Sequence, residues 1–112
     1  MIAPAENARP VEARQAPCLH LLLSPDLDTV QALQGFRVDG DVVVLLGTAV
    51  ILLADGGNRL GQLGHGGALY AHRADVLAQG LPQSAAEAGV ALIDDEALLG
   101  LVARFPHTLS WK

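Results

Sequence analysis

Few residues here could carry chemistry. The 112 residues include one cysteine, Cys18, and four histidines, with His20 two residues beyond the thiol. In an extended segment Cys18 and His20 share a face, the minimal pairing for an imidazole-assisted sulfur nucleophile. A reactive thiolate, however, needs exposure and a nearby cation or helix N-terminus. Cys18 instead opens the run Cys18-Leu-His-Leu-Leu-Leu23, where a cysteine is expected to be a small buried hydrophobe and His20 a packed, hydrogen-bonded side chain. His65 and His72 stand at no metal-ligand spacing to Cys18, so neither a metal nor another cofactor is expected. Asp94, Asp95 and Glu96 resemble an acidic site, but all three fit the cap and first turn of a helix.

The remaining candidate is a glycine-rich stretch, Asp55 to Gly67. It lacks the Gly-Lys-Ser/Thr of a P-loop and the glycine order of a dinucleotide fingerprint. A mobile surface loop is expected there, with glycine supplying unusual φ values.

The elements that must position these residues follow from hydrophobic pattern. Val90 to Ile93 is a short apolar run, read as a strand buried on both faces. Leu98, Leu101, Val102 and Phe105 recur at helical spacing behind the acidic cap, and Pro106 ends that helix. His107 to Trp111 closes the chain as a strand with Leu109 and Trp111 on one side. Upstream, Cys18–Leu23 is the first strand and Ser24-Pro25 a helix opening, with Ser24 as cap and Pro25 at the first helical position. Leu27, Val30, Leu33 and Phe36 form that helix's apolar stripe. Asp39-Gly40 is a turn, and Asp41–Leu46 is a second, valine-rich buried strand. Ala49–Ala54 fits a short helix or more strand, since an apolar run does not decide by periodicity. Ala68–Ala71 is a third strand. His72–Gln79 is a helix with Gly80 at its left-handed cap, and Ser84–Gly89 is a connector with room for one helical turn. Alternating strands and helices predict a single α/β domain over residues 17–112, with a mainly parallel four- or five-stranded sheet and helices on both faces. In such sheets ligands gather beyond the carboxyl ends of the strands. Ser24, Gly47, Thr48, His72 and Asp94 line that edge and are the candidate site residues.

Composition narrows the function. The net charge is −5 and the seven basic residues are scattered, so direct binding of nucleic acid is not expected. The longest apolar run, Val42 to Ala54, is short of the roughly 20 residues a membrane span needs. Residues 1–16 have no apolar core for a secretory signal and read as a disordered tail. A single cysteine fits a reducing, cytoplasmic compartment. Apolar residues reach 51% and mean hydropathy is +0.35. That much apolar surface on a small domain predicts a subunit interface, with Leu109 and Trp111 as candidates, and a homodimer when the chain is alone.

Four stretches, in order, resemble the TusB/DsrH family of small sulfur-relay proteins. They are Leu19-His20 with Ser24-Pro25; Leu69-Tyr-Ala-His-Arg-Ala-Asp-Val-Leu-Ala-Gln-Gly-Leu81; Leu92-Ile-Asp94; and Pro106 with Ser110-Trp111. The likeness spans residues 18–112. It implies a DsrE/DsrF/DsrH-like fold and a subunit that assembles with TusC-like and TusD-like partners. That complex relays persulfide sulfur for 2-thiolation of the tRNA wobble uridine, and its principal persulfide cysteine lies on the TusD-like partner. The similar DsrE–DsrF–DsrH assembly serves sulfur oxidation. Some DsrH chains carry a cysteine in the first helix, whereas Thr29-Val-Gln-Ala-Leu-Gln34 has none, which favours a TusB-like, non-catalytic subunit. Leu46-Gly47-Thr48 departs from the acidic residue and glycine usual in TusB relatives. The alternatives are a DsrH-like subunit using Cys18 as persulfide carrier, and a homo-oligomer that binds a small ligand at the strand ends.

Overall fold

The computed structural model describes residues 17–54, 60, 63 and 68–112. The chain forms an α/β domain around one five-stranded, all-parallel sheet. Its strands are β1 (Cys18–Leu22), β2 (Val42–Leu45), β3 (Ala68–His72), β4 (Ala91–Ile93) and β5 (His107–Trp111). The helices are α1 (Leu27–Phe36), α2 (Arg73–Ala78), α3 (Pro82–Ala88) and α4 (Asp95–Arg104), and a 3-10 helix runs over Gly47–Ala54. Among the described residues no helix is long and apolar enough to cross a membrane.

The order across the sheet is β4-β3-β2-β1-β5. Burial follows it. The valine-rich β2 is central and buried at all four positions, as suits branched side chains covered on both sides of a pleated sheet. Val90–Ile93 was expected to be a strand buried on both faces, but the strand there is a three-residue edge strand, Ala91–Ile93, with Ala91 exposed. An apolar run signals packing on a sheet; only topology decides between centre and edge.

The two faces are covered unequally. Val30 and Leu33 of α1, the 3-10 helix, Val76 of α2 and Ala85 of α3 pack on the face that presents Leu22, Val43, Leu45 and Ala71. Among the described residues only α4 covers the other face, with Leu98, Leu101 and Phe105 against Leu19, Val42, Val44 and Tyr70. Handedness gives the reason. The chain steps from β1 to β4 in one direction, so right-handed crossovers put α1, the 3-10 helix, α2 and α3 on one face. The return from β4 to β5 reverses direction and must cross the opposite face. That crossing covers roughly 19 Å of sheet, against about 15 Å for ten helical residues. The helix of that one crossing, α4, spans most of the distance.

Several local expectations change in the fold. Ser24 does not cap α1: Asp26 occupies the cap position and the helix begins at Leu27. The Ser24 hydroxyl accepts from the Asp26 N–H at 3.1 Å, a turn that precedes the helix. Leu27 is 51% exposed, and the buried stripe of α1 narrows to Val30 and Leu33 with Phe36 half-buried. On α4, Val102 faces outward (40% exposed) beside Leu99 (67%), because a lone helix lying on a sheet buries only a narrow stripe. The Ser84–Gly89 connector, read as having room for one helical turn, belongs to the longer, seven-residue helix α3, opened by Pro82 and ended by Gly89 at φ 72°, a backbone state that costs glycine nothing.

Within Asp55–Gly67 only Leu60 and Leu63 are described; both are helical and buried in the larger core, so two side chains of the expected surface loop belong to the interior. The rest of that stretch and residues 1–16 lie outside the described residues.

Candidate functional site

The site is built at the carboxyl edge of the sheet, where β3 ends on His72. Residues 72 and 75 fall one helical turn apart as the strand passes into α2, which brings Asp75 beneath the imidazole. Asp75 Oδ2 lies 2.9 Å from His72 Nδ1 and also accepts the Gly47 N–H at 2.8 Å. Gly47 sits at φ 56°, a left-handed turn where β2 leads into the 3-10 helix. On the other side of the ring, Nε2 is 2.5 Å from Asp95 Oδ1 in the first turn of α4. One histidine thus joins three chain segments that lie far apart in sequence.

Electrostatics favour a charged ring. Burial pulls the His72 pKa down, but hydrogen bonds and charge from Asp95 and Asp75 outweigh it and raise it above the ordinary 6.5. Asp75 moves the opposite way, below 3.8, chiefly through the Gly47 N–H against the opposing effect of burial, with His72 adding to the fall. Beside this cluster lies a shallow cleft of about 190 Å³ lined by His72, Arg73, Ala74, Leu77, Asp94 and Asp95. Small-molecule pockets usually span roughly 300–1,000 Å³, so the cleft admits an ion or a side chain more readily than a metabolite. Among the described residues no group of three or more His, Cys, Asp or Glu could hold a metal ion.

The strand-end residues named from sequence are only partly brought together. Gly47 and His72 meet through Asp75, which sequence reasoning missed although its spacing from His72 was available. Asp94 lines the same cleft, but its carboxylate is the cap of α4 and accepts from the Ala97 N–H at 2.8 Å. Capping was expected to account for Asp95 as well; instead Asp95 serves His72. Ser24 and Thr48 take no part. Thr48 Oγ1 donates to the Leu23 carbonyl at 3.3 Å, and Ser24 makes the turn before α1.

A second polar group occupies the interior near the amino end of β1. His20 and Asp41 are both fully buried, with His20 Nε2 2.7 Å from Asp41 Oδ2. Asp41 also accepts the Cys18 N–H at 2.9 Å and the Val38 N–H at 3.2 Å. The Trp111 indole N–H donates to His20 Nδ1 at 3.0 Å. An indole only donates, so Nδ1 carries no proton and Nε2–H donates to the Asp41 carboxylate. Phe36 and Trp111 cover the ring at centroid distances of 6.0 Å. Cys18 itself is 2% exposed. Trp111 was expected on an outer surface; it is half-buried and packed on the domain's own core, and Leu109 is half-buried on the same face of β5. Register explains this, since Leu22 pairs with Trp111 and His20 with Leu109.

No family model matches the chain, and no curated protein matches its sequence.

Proposed function

We propose that this chain is a TusB-like, non-catalytic subunit of a cytoplasmic sulfur-relay complex. In this reading TusC-like and TusD-like partners carry the persulfide, and the complex serves 2-thiolation of the tRNA wobble uridine. The observation that carries the reading is the position of the lone thiol. Cys18 is 2% exposed at the amino end of β1, away from the carboxyl edge where parallel α/β sheets perform chemistry. Persulfide transfer needs an Sγ that another sulfur can attack in line, and Cys18 offers no such approach. Sulfur would then reside on a partner. The four ordered motifs that resemble TusB chains, together with the all-parallel sheet, support the family assignment. Leu99 and Val102, exposed on α4, supply apolar surface for subunit contact. With a net charge of −5, contact with the RNA falls to other components.

The test is purification of the tagged full chain at native expression, then loading of the complex with radiolabelled persulfide. Two related small chains should co-purify in fixed stoichiometry. Label should appear on a partner cysteine, and Cys18→Ala should leave transfer near the wild-type rate. Collapse of transfer with the fold intact would make Cys18 a carrier and favour the DsrH-like alternative. A homo-oligomer free of related chains would favour the ligand-binding alternative.

A further inference from the structure

The pairing of His72 has a consequence independent of the sulfur-relay reading. Carboxylates only accept hydrogen bonds, so a ring with Asp75 on Nδ1 and Asp95 on Nε2 satisfies both only as imidazolium. A neutral imidazole donates from one nitrogen and must give up one carboxylate. The two arms are unequal. Asp75 is held by the Gly47 N–H and lies on the segment that continues directly from His72. The Asp95 side chain is 84% exposed and can turn to water. Losing a proton therefore opens the Asp95 arm first.

We propose that His72 is a proton-operated latch: as imidazolium it fastens the first turn of α4 to β3 and α2 through Asp95, and deprotonation releases that turn. Among the described residues the charged groups around the ring are Arg73 and Asp75 from α2 and Asp94 and Asp95 from α4. The 3-10 helix, Gly47-Thr-Ala-Val-Ile-Leu-Leu-Ala54, contributes no charged side chain. The hydrogen bonds and charge of Asp95 and Asp75 favour the proton. Asp94 is already engaged as the α4 cap, which leaves Asp95 as the movable partner. Because α4 alone among the described residues covers its face of the sheet, the latch sets how readily α4 leaves that face. The sign is fixed by the raised His72 pKa. The latch is closed below about 6.5 and opens as pH rises through the folded-state value.

The test uses the isotopically labelled full chain. The His72 ring resonances are titrated while hydrogen exchange is followed at α4 amides, corrected for the intrinsic pH dependence of exchange. Wild-type α4 should lose protection by roughly two- to five-fold, the range for a solvent-exposed ion pair, with the midpoint of His72. Asp95→Asn should show no such step, hold α4 at the high-pH level throughout, and lower the His72 midpoint. His72→Gln should likewise be flat with pH while α3 keeps its protection. A wild-type step that is absent, or one that persists in Asp95→Asn, would overturn the latch.

Discussion

The indole N–H of Trp111 donates to Nδ1 of His20 at 3.0 Å, joining residues 91 positions apart. It ties the last strand to the first, which are also neighbours in the sheet. The bond fixes the His20 tautomer and thereby directs Nε2–H toward Asp41. Closure of the domain and orientation of its buried polar group are thus one event.

Trp111→Phe tests that link. It keeps an aromatic ring on Phe36 but removes the donor at Nδ1, at a cost of roughly 1–3 kcal/mol. Urea unfolding should report the loss with an unchanged slope. In the wild type, emission of this lone tryptophan should already be blue-shifted in the dilute chain, and partners should move it little. Emission typical of a fully solvated indole would contradict the packing.

Asp41→Asn should be the more damaging change. The carboxylate accepts from Cys18, Val38 and His20, and an amide placed there turns one acceptor oxygen into a donor facing other donors. A loss of about 3 kcal/mol is expected. Stability within 0.5 kcal/mol or so of wild type, the usual range for surface substitutions, would mean that the three bonds are not maintained in solution.

Asp75 makes a pH-dependent contribution whose sign is set by its lowered pKa. A depressed carboxylate stabilises the fold above its unfolded value of 3.8 and ceases to do so as pH falls through the lower folded value. Asp75→Asn should therefore be less stable than wild type at neutral pH. The two curves should converge below about pH 3.8. Parallel curves from neutral to acid would show that the carboxylate is not held by Gly47 and His72.

Cys18 should resist a thiol reagent in the native chain and react promptly once urea has unfolded it, since its side chain has almost no contact with solvent. Rapid native labelling, at the rate of a free thiol, would show an opening at β1 and return Cys18 to consideration as a carrier.

Strand and helix identities were largely legible because they are local. The unbroken Val42–Leu45 run, the Asp94 cap ahead of α4 and the Pro106 stop each act within a few residues, and each stands where the pattern puts it. Burial of Cys18 follows from an apolar strand in the same way. What the sequence could not rank was position in the sheet. Val90–Ile93 carries the pattern of a central strand and forms an edge, while Trp111 reads as surface and closes the core, because both outcomes depend on which strands become neighbours. The candidate site divides along the same line. His72 and Gly47 were visible as strand-end residues, but their connection through Asp75 and Asp95 needs β2, β3 and α4 to end at one edge. The sequence by itself determined an alternating α/β chain with a buried thiol and an acidic helix cap. Tertiary structure alone decided that α4 lies on the face opposite the other described helices and that one histidine links three segments. The physical reason is that side-chain periodicity encodes what each segment buries, whereas crossover handedness and strand order, which act between segments, decide what it meets.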